Sequence, residues 1–354
     1  MTTPSEVALL RLAAQRLVGP PCGSEVDVVR RLTAVQAQDL PGALTSVALR
    51  STQRSRAAVE AALEAGQVVR SWPMRGTLHL VVAEDLQWML RLMTPRVIAA
   101  SAGRRAALGL TQIDLDRAAD LARSALGAHG RLGRRELAAA WTAGGVSPHG
   151  QRGLHILQYL AMTGTLVLGP TRDGEQLVVL VDDWIPNPRR LDRDESLGEL
   201  ALRYFSGHGP ATLKDLVRWG QLRVADARTG LALARDRLDR LDVDGTGHWL
   251  HPATPEVLAA AKKRARGVVL LPGFDEFVLG YADRSAQLDP RFAALVCPGG
   301  NGMFRATVVS GGQVVGTWRH GDRGSDAAVR GTEPFETFTA AVLAALPRAF
   351  AALP

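Results

Sequence analysis

Cysteine is nearly absent from this 354-residue chain: Cys22 and Cys297 are the only two, far apart and without a CxxC or Cys/His cluster near either. A disulfide framework and a structural zinc site are therefore not expected, and no metal or cofactor is assigned. Long apolar runs are missing too. The segment Gly267 to Leu271 is only strand-sized, so no membrane partner is expected. The N-terminus lacks the basic, apolar, small-residue order of a signal peptide, which makes a cytoplasmic, nucleoid-associated location the expectation. Lysine is scarce: Lys214, Lys262 and Lys263 are the full set. Acidic residues also fall short of basic ones, leaving a net charge of +7 and a sequence pI near 10.2. A GC-rich coding sequence accounts for arginine over lysine but not for the positive excess, which suits a polyanion such as DNA.

What remains is the profile of a globular protein, 46% hydrophobic and 22% charged, long enough for several domains. Two stretches repeat each other. "HGRLGRRELAAAW" begins at His129 and "HGPATLKDLVRW" at His208; both place an acidic residue and Leu at the same offset (Glu136-Leu137, Asp215-Leu216) before a Trp. Amphipathic helices are predicted ahead of them (Leu115 to Leu126, Leu197 to Phe205) and behind them (Gln151 to Met162, Asp226 to Leu241). The first copy continues into two β-rich runs, Thr165 to Leu168 and Gln176 to Val181, around the turn pair Asp173-Gly174; the second ends in a shorter hairpin signal around Gly245. Three helices and a hairpin is the order of a winged helix, which serves DNA binding, dimerisation or spacing.

The N-terminal segment reads the same way, with helices at Glu6 to Leu17, Asp27 to Ala34 and Arg56 to Ala65, then strand-like pieces split by Pro73 and Gly76. From Gly267 the texture turns to β-branched and aromatic runs ("GVVLLPGFDEFVLGYADR", "FRATVVSGGQVVGTWRH", "AAVRGTEPF"), with Gly311-Gly312 a hairpin signal and a C-terminal helix from Glu333 to Ala352. "AKKRARG" reads as a connecting helix end. The expected fold class is α+β: tandem winged-helix units followed by a small C-terminal β-barrel. The expected domains are residues 1–110, 111–190, 191–265 and 266–354.

"LTAVQAQ" holds the most unusual feature, Gln36 and Gln38 separated only by Ala37. A helix would turn these side chains about 200° apart, whereas an extended backbone puts them on one face. Together with "SWPMRGTLHLV", "LLPGFDEFVLGYADR" and "GQVVGTWR", in that order, the segment resembles the bacterial winged-helix DNA glycosylases, the superfamily of azinomycin-resistance and interstrand-crosslink glycosylases. The resemblance covers nearly the whole chain. It implies a concave basic channel and a catalytic Gln-x-Gln motif, here Gln36 and Gln38. The Gln-x-Asp form would need an acid at position 38, and Asp39 comes one residue too late.

Two amides supply no strong acid for ordinary glycosidic hydrolysis. That matters little if the leaving base is already cationic, as an N7-alkylguanine or N3-alkyladenine is. The pair then needs only to position water, in a monofunctional reaction on double-stranded DNA, with bulky and crosslinked adducts within reach. The competing reading is that the amides cap a helix end or a neighbouring loop.

Arg75 and His79, around Gly76, are candidate phosphate contacts, against a structural histidine with an arginine partner. Gln151, Arg152 and His155 occupy the recognition-helix slot of the second unit with Gln158, and either read bases or form a solvated face. Arg305 and Arg319 flank a hairpin that reaches for a groove or simply carries solubilising charge. "FDEF" offers Asp275 and Glu276, which would point to opposite faces of a strand with no histidine beside them, and are expected to pair with Arg284 or shape the barrel mouth. The expected enzyme is a monomer without cofactor. Its rival is a non-catalytic winged-helix protein, either a transcription regulator or a binder that sequesters a lesion or drug.

Overall fold

A computed structural model describes residues 2–172, 174–300, 302–319 and 331–354, in a mixture of helix and sheet. Asp173 of the first hairpin turn and Ala327 to Arg330 of "AAVRGTEPF" lie outside the described residues. The chain divides into two compact units: Met1–Val59 with Leu197–Pro354, and Glu60–Ser196. Among the described residues no helix is long and apolar enough to cross a membrane. Both cysteines are free, and no cluster of metal-ligating side chains occurs among those residues.

In the unit Glu60–Ser196, four strands lie in the order Thr77–Val82, Val68–Met74, Leu166–Arg172, Glu175–Leu180, each antiparallel to its neighbour. Helices Gln112–His129, Arg134–Ala143 and Arg152–Met162 pack on them through Leu126, Leu137, Trp141, Ile156 and Leu160. The helix Leu86–Ala100, which the sequence reading did not anticipate, contains Pro95. Burial of Leu86, Trp88, Met89, Leu90 and Met93 holds it in spite of the proline.

The acidic residue shared by the two repeats has one physical role in both: it caps the helix that follows. Glu136 accepts the Gly133 N–H at 2.6 Å. Asp215 accepts the Thr212 N–H at 2.8 Å while Thr212 Oγ1 accepts the Asp215 N–H at 3.1 Å, a reciprocal capping box. His129 and His208 each end the preceding helix, Gln112–His129 and Arg193–His208. A third helix follows in each copy, Arg152–Met162 or Val224–Ala234, and then a hairpin, Leu166–Arg172 with Glu175–Leu180 or Asp239–Val243 with Thr246–Leu250. The expected helix from Asp226 to Leu241 is therefore too long. After Ala234 a 3-10 turn over Arg235–Arg237 redirects the chain, and the ladder pairing Asp239 with Leu250 takes the remainder.

The C-terminal strands form an open antiparallel sheet among the described residues, in the order Thr332–Pro334, Gln313–Trp318, Thr307–Ser310, Val268–Leu271. The closed barrel expected for this segment is not found among the described residues. Neighbouring residues on each strand go to opposite faces. Leu270 and Val308 pack with Trp318, Val342 and Leu346 beneath the helix Ala340–Ala351. Leu271 and Val309 pack with Leu12, Phe277 and Val314 on the other side. A sheet covered on both faces has no apolar surface left to drive closure. The strand Thr332–Pro334 and the later start at Ala340 also shorten the C-terminal helix expected from Glu333.

One close approach within the unit built from residues 1–59 and 197–354 makes a testable point. Gly207 lies inside the helix Arg193–His208, and a Cβ there would sit 2.1 Å from the Arg31 carbonyl oxygen. Alanine is the better helix former by about 1 kcal/mol. Gly207→Ala is nonetheless expected to lower stability, by about 1–3 kcal/mol, because backbone has to move. The chemical-denaturation midpoint reads which effect wins.

Candidate functional site

The Gln-Ala-Gln segment is a short link between two helices. Glu25–Leu32 ends at Thr33, whose φ of 68° reverses the chain; Leu40–Ala48 begins with Asp39 as its N-cap and a proline, Pro41, in its first turn. Between these stops Val35–Gln36 is extended. Gln36 is 7% exposed and Ala37 wholly buried, while Gln38 is exposed. The Gln36 side chain folds back on its own strand, its Oε1 accepting the Gln38 N–H at 3.4 Å. One amide is thus held by the protein beside another that faces solvent, and each offers an acceptor oxygen and donor hydrogens.

The Gln36 N–H donates to Glu276 Oε1 at 3.3 Å. Glu276 is fully buried, and its other oxygen accepts Trp219 Nε1–H at 2.9 Å and lies 3.3 Å from His208 Nε2. His208 stacks on Tyr204 with ring centroids 4.7 Å apart. Tyr281 Oη donates to the His208 carbonyl and Tyr204 Oη to the Gly280 carbonyl, both at 2.8 Å. Burial pushes both phenols up from their ordinary range, so they remain neutral donors. Gly280 makes room for the imidazole: a Cβ there would fall 2.6 Å from His208 Cδ2.

The neighbouring Asp275 caps the short helix Glu276–Leu279 and takes a two-pronged ion pair from Arg50, at 2.8 and 2.9 Å. Both partners are buried, at 0% and 1% side-chain exposure. These contacts correct three expectations for "FDEF". It is a loop and helix start rather than a strand, the partner of Asp275 is Arg50, and a histidine does accompany Glu276. Arg284 instead donates to the Val278 carbonyl. His208 and Trp219 both belong to the second repeat, so the sequence held the signal, but nothing in it linked position 208 to position 276.

The remaining candidates divide between the two units. His79 is fully buried; Arg75 Nη2 lies 2.7 Å from its Nε2, and His79 Nδ1 lies 2.9 Å from the Thr77 carbonyl. That pairing assigns the ring proton to Nδ1. Gln158 Nε2 donates to the carbonyl of Gly76, tying the hairpin tip to the helix Arg152–Met162. Gln151 at the start of that helix accepts from Arg104. Arg152 donates to the carbonyls of Ser147, Leu108 and Gly109. Desolvation first, then Arg104 and Arg105, lower the His155 pKa, so this ring gains charge only in more acid solution than an ordinary imidazole. In the other unit, Arg305 and Arg319 both approach Glu333, at 4.0 and 3.8 Å, as exposed pairs that restrain them weakly.

A family model described as DNA glycosylase AlkZ-like matches residues 29–354. The interstrand DNA cross-link repair glycosylase of Streptomyces sahachiroi is 29% identical over 311 residues, which span 83% of this chain and 82% of that protein. The solved structure of Streptomyces sahachiroi DNA glycosylase AlkZ superposes with a TM-score of 0.81 at 26% identity, covering 99% of this chain and 95% of its own. The chain therefore belongs to the AlkZ-like DNA glycosylase family, and it is a DNA glycosylase, an enzyme of DNA repair.

Proposed function

We propose that this glycosylase hydrolyses the N-glycosidic bond of cationic alkylated purines in double-stranded DNA. N7-alkylguanine and N3-alkyladenine are the substrate class, and bulky or interstrand adducts are included because the relative in Streptomyces sahachiroi carries cross-link repair in its name. The observation that carries the proposal is the pair of amides in one short link, Gln36 in extended backbone and secured, Gln38 at the bend that follows and exposed. Between them they hold a water against C1′. The C1′–N bond breaks, its electron pair neutralises the departing base, and the water oxygen bonds to C1′ while its proton passes to solvent. The three lysines, at 214, 262 and 263, are distant in sequence from the pair, and the reaction proposed here uses no Schiff base.

Each helix-helix-helix-hairpin repeat is taken as a winged-helix unit, and the enzyme as a cytoplasmic monomer that meets DNA in the nucleoid. Arg75, oriented by His79, contacts a phosphate. The helix bearing Gln151, Arg152 and His155 contributes a second patch together with Arg104 and Arg105. Arg305 and Arg319 contribute a third.

The test is release of a single N7-alkylguanine from a duplex oligonucleotide, followed by cleavage at the abasic site, with spontaneous depurination subtracted. Excision above background supports the proposal. Duplex binding without excision, for simple and bulky adducts alike, would replace it with a non-catalytic DNA-binding protein. Duplex affinity is expected to fall steeply with salt and to vary little with sequence, and Arg75→Ala to reduce the slope of log K against log salt by about one. Fluorescence anisotropy across a salt series measures both.

A further inference from the structure

The two repeats share their sequence offsets but not the fate of their polar side chains. In the first copy Trp141 donates its Nε1–H to the Ala118 carbonyl at 3.0 Å, and His129 is exposed at its helix end. In the second copy the matching residues, Trp219 and His208, are buried and both reach Glu276 Oε2. Burying a carboxylate is costly unless donors surround it. Here donors come from two helices of one repeat, and the other oxygen accepts the Gln36 N–H. Glu276 is itself set in place by Asp275, which Arg50 grips on two oxygens and which accepts the Phe277 N–H at 2.9 Å. The result is a continuous buried chain of contacts from the second repeat to the extended strand that carries Gln36.

We propose that Glu276 is a positioning residue for the Gln pair: its buried carboxylate, held by Trp219 and His208, fixes the backbone of Gln36 and so aims the Gln36 amide. This rests on the glycosylase reading above. A rigid second layer of this kind is what a water-positioning site requires, since a displacement of about 1 Å at a reacting centre costs on the order of 100-fold in rate. In this role Glu276 acts through Gln36 and does not touch DNA.

The test is single-turnover excision of N7-alkylguanine by the full-length chain, with dissociation constants for the lesion duplex measured alongside. Glu276→Ala is expected to slow excision about 30- to 100-fold while changing duplex affinity by less than about 3-fold, a loss confined to the chemical step. Placed in a Gln36→Ala background, the same substitution is expected to have little further effect, because the group it positions is gone. Glu276→Gln keeps an acceptor oxygen for the Gln36 N–H. Its NH2 then takes the place of the oxygen that accepts Trp219 Nε1–H, and only the His208 ring, by changing tautomer, can accept from it. Glu276→Gln is therefore expected to recover part of the loss.

If Glu276→Ala does not fold, Glu276→Asp serves in its place, retaining the buried charge but drawing it back from Gln36 by one methylene. An equal loss in both backgrounds, or no loss at all, would overturn the positioning role. Wild-type protein without excision overturns the glycosylase reading itself. Excision by wild type that Gln36→Ala leaves untouched removes the Gln pair, and with it any role for Glu276 through that pair.

Discussion

Alanine at both Gln36 and Gln38 is expected to reduce single-turnover excision of N7-alkylguanine by at least about 100-fold, towards the spontaneous rate, with duplex affinity retained. A cationic base, as in the proposed substrates, leaves without protonation, so the enzyme's contribution would lie in orienting water and meeting the developing charge on the sugar, the role proposed for the two amides. If they hold one water between them, the single variants should each lose most of what the double variant loses. Gln36→Ala should be the more complete of the two, since it also removes the acceptor for the Gln38 N–H. Duplex binding is expected to remain, because the proposed phosphate contacts lie elsewhere. The assay is base release under enzyme excess, with binding followed on the same duplex. Equal excision by wild type and double variant would leave the family intact and remove the pair from its chemistry.

Arg50→Ala should have the largest effect on stability, about 3–5 kcal/mol. Arg50 is 0% exposed. Besides Asp275 it donates to the Gln15 carbonyl at 3.0 Å, to Gln15 Oε1 at 2.8 Å and to the Ser46 carbonyl at 2.8 Å. Removing it leaves a buried carboxylate without its counter-charge and several buried acceptors without donors. Replacing Arg50 and Asp275 together with apolar residues of similar volume should cost less than Arg50→Ala alone, because no orphaned charge remains. Urea denaturation of the three proteins measures the difference. Equal stability of Arg50→Ala and wild type would show that the pair contributes nothing net. Because Asp275 also caps the helix that starts at Glu276, excision by Arg50→Ala should fall even under conditions where it is folded.

The local elements were largely legible in the sequence, for reasons of short range. The capping residues Glu136 and Asp215 act on backbone three residues away, and alternation along Val268–Leu271 and Thr307–Ser310 follows from the pleat. For the Gln segment only the extended state of Gln36 was legible; the helix Leu40–Ala48 and the bend at Gln38 ahead of it were not. Helix ends were less so. Leu241 has the apolar spacing to continue a helix, and only pairing with a strand that comes later in the chain draws it into a hairpin.

By itself, then, the sequence determined the polyanion-suited charge, the repeated acidic positions, the Gln-Ala-Gln motif and the family. The tertiary structure alone decided the partners of the buried charges. Arg50 meets Asp275 across 225 residues, and His208 meets Glu276 across 68. No propensity or spacing encodes such pairs, because a buried charge is matched to whatever donor the packed core brings within hydrogen-bonding distance. The same holds for the C-terminal sheet: among the described residues the helix Ala340–Ala351 covers one face and Leu12 and Phe277 the other. Strand pattern alone could not say whether that apolar surface would be buried by closure or by cover.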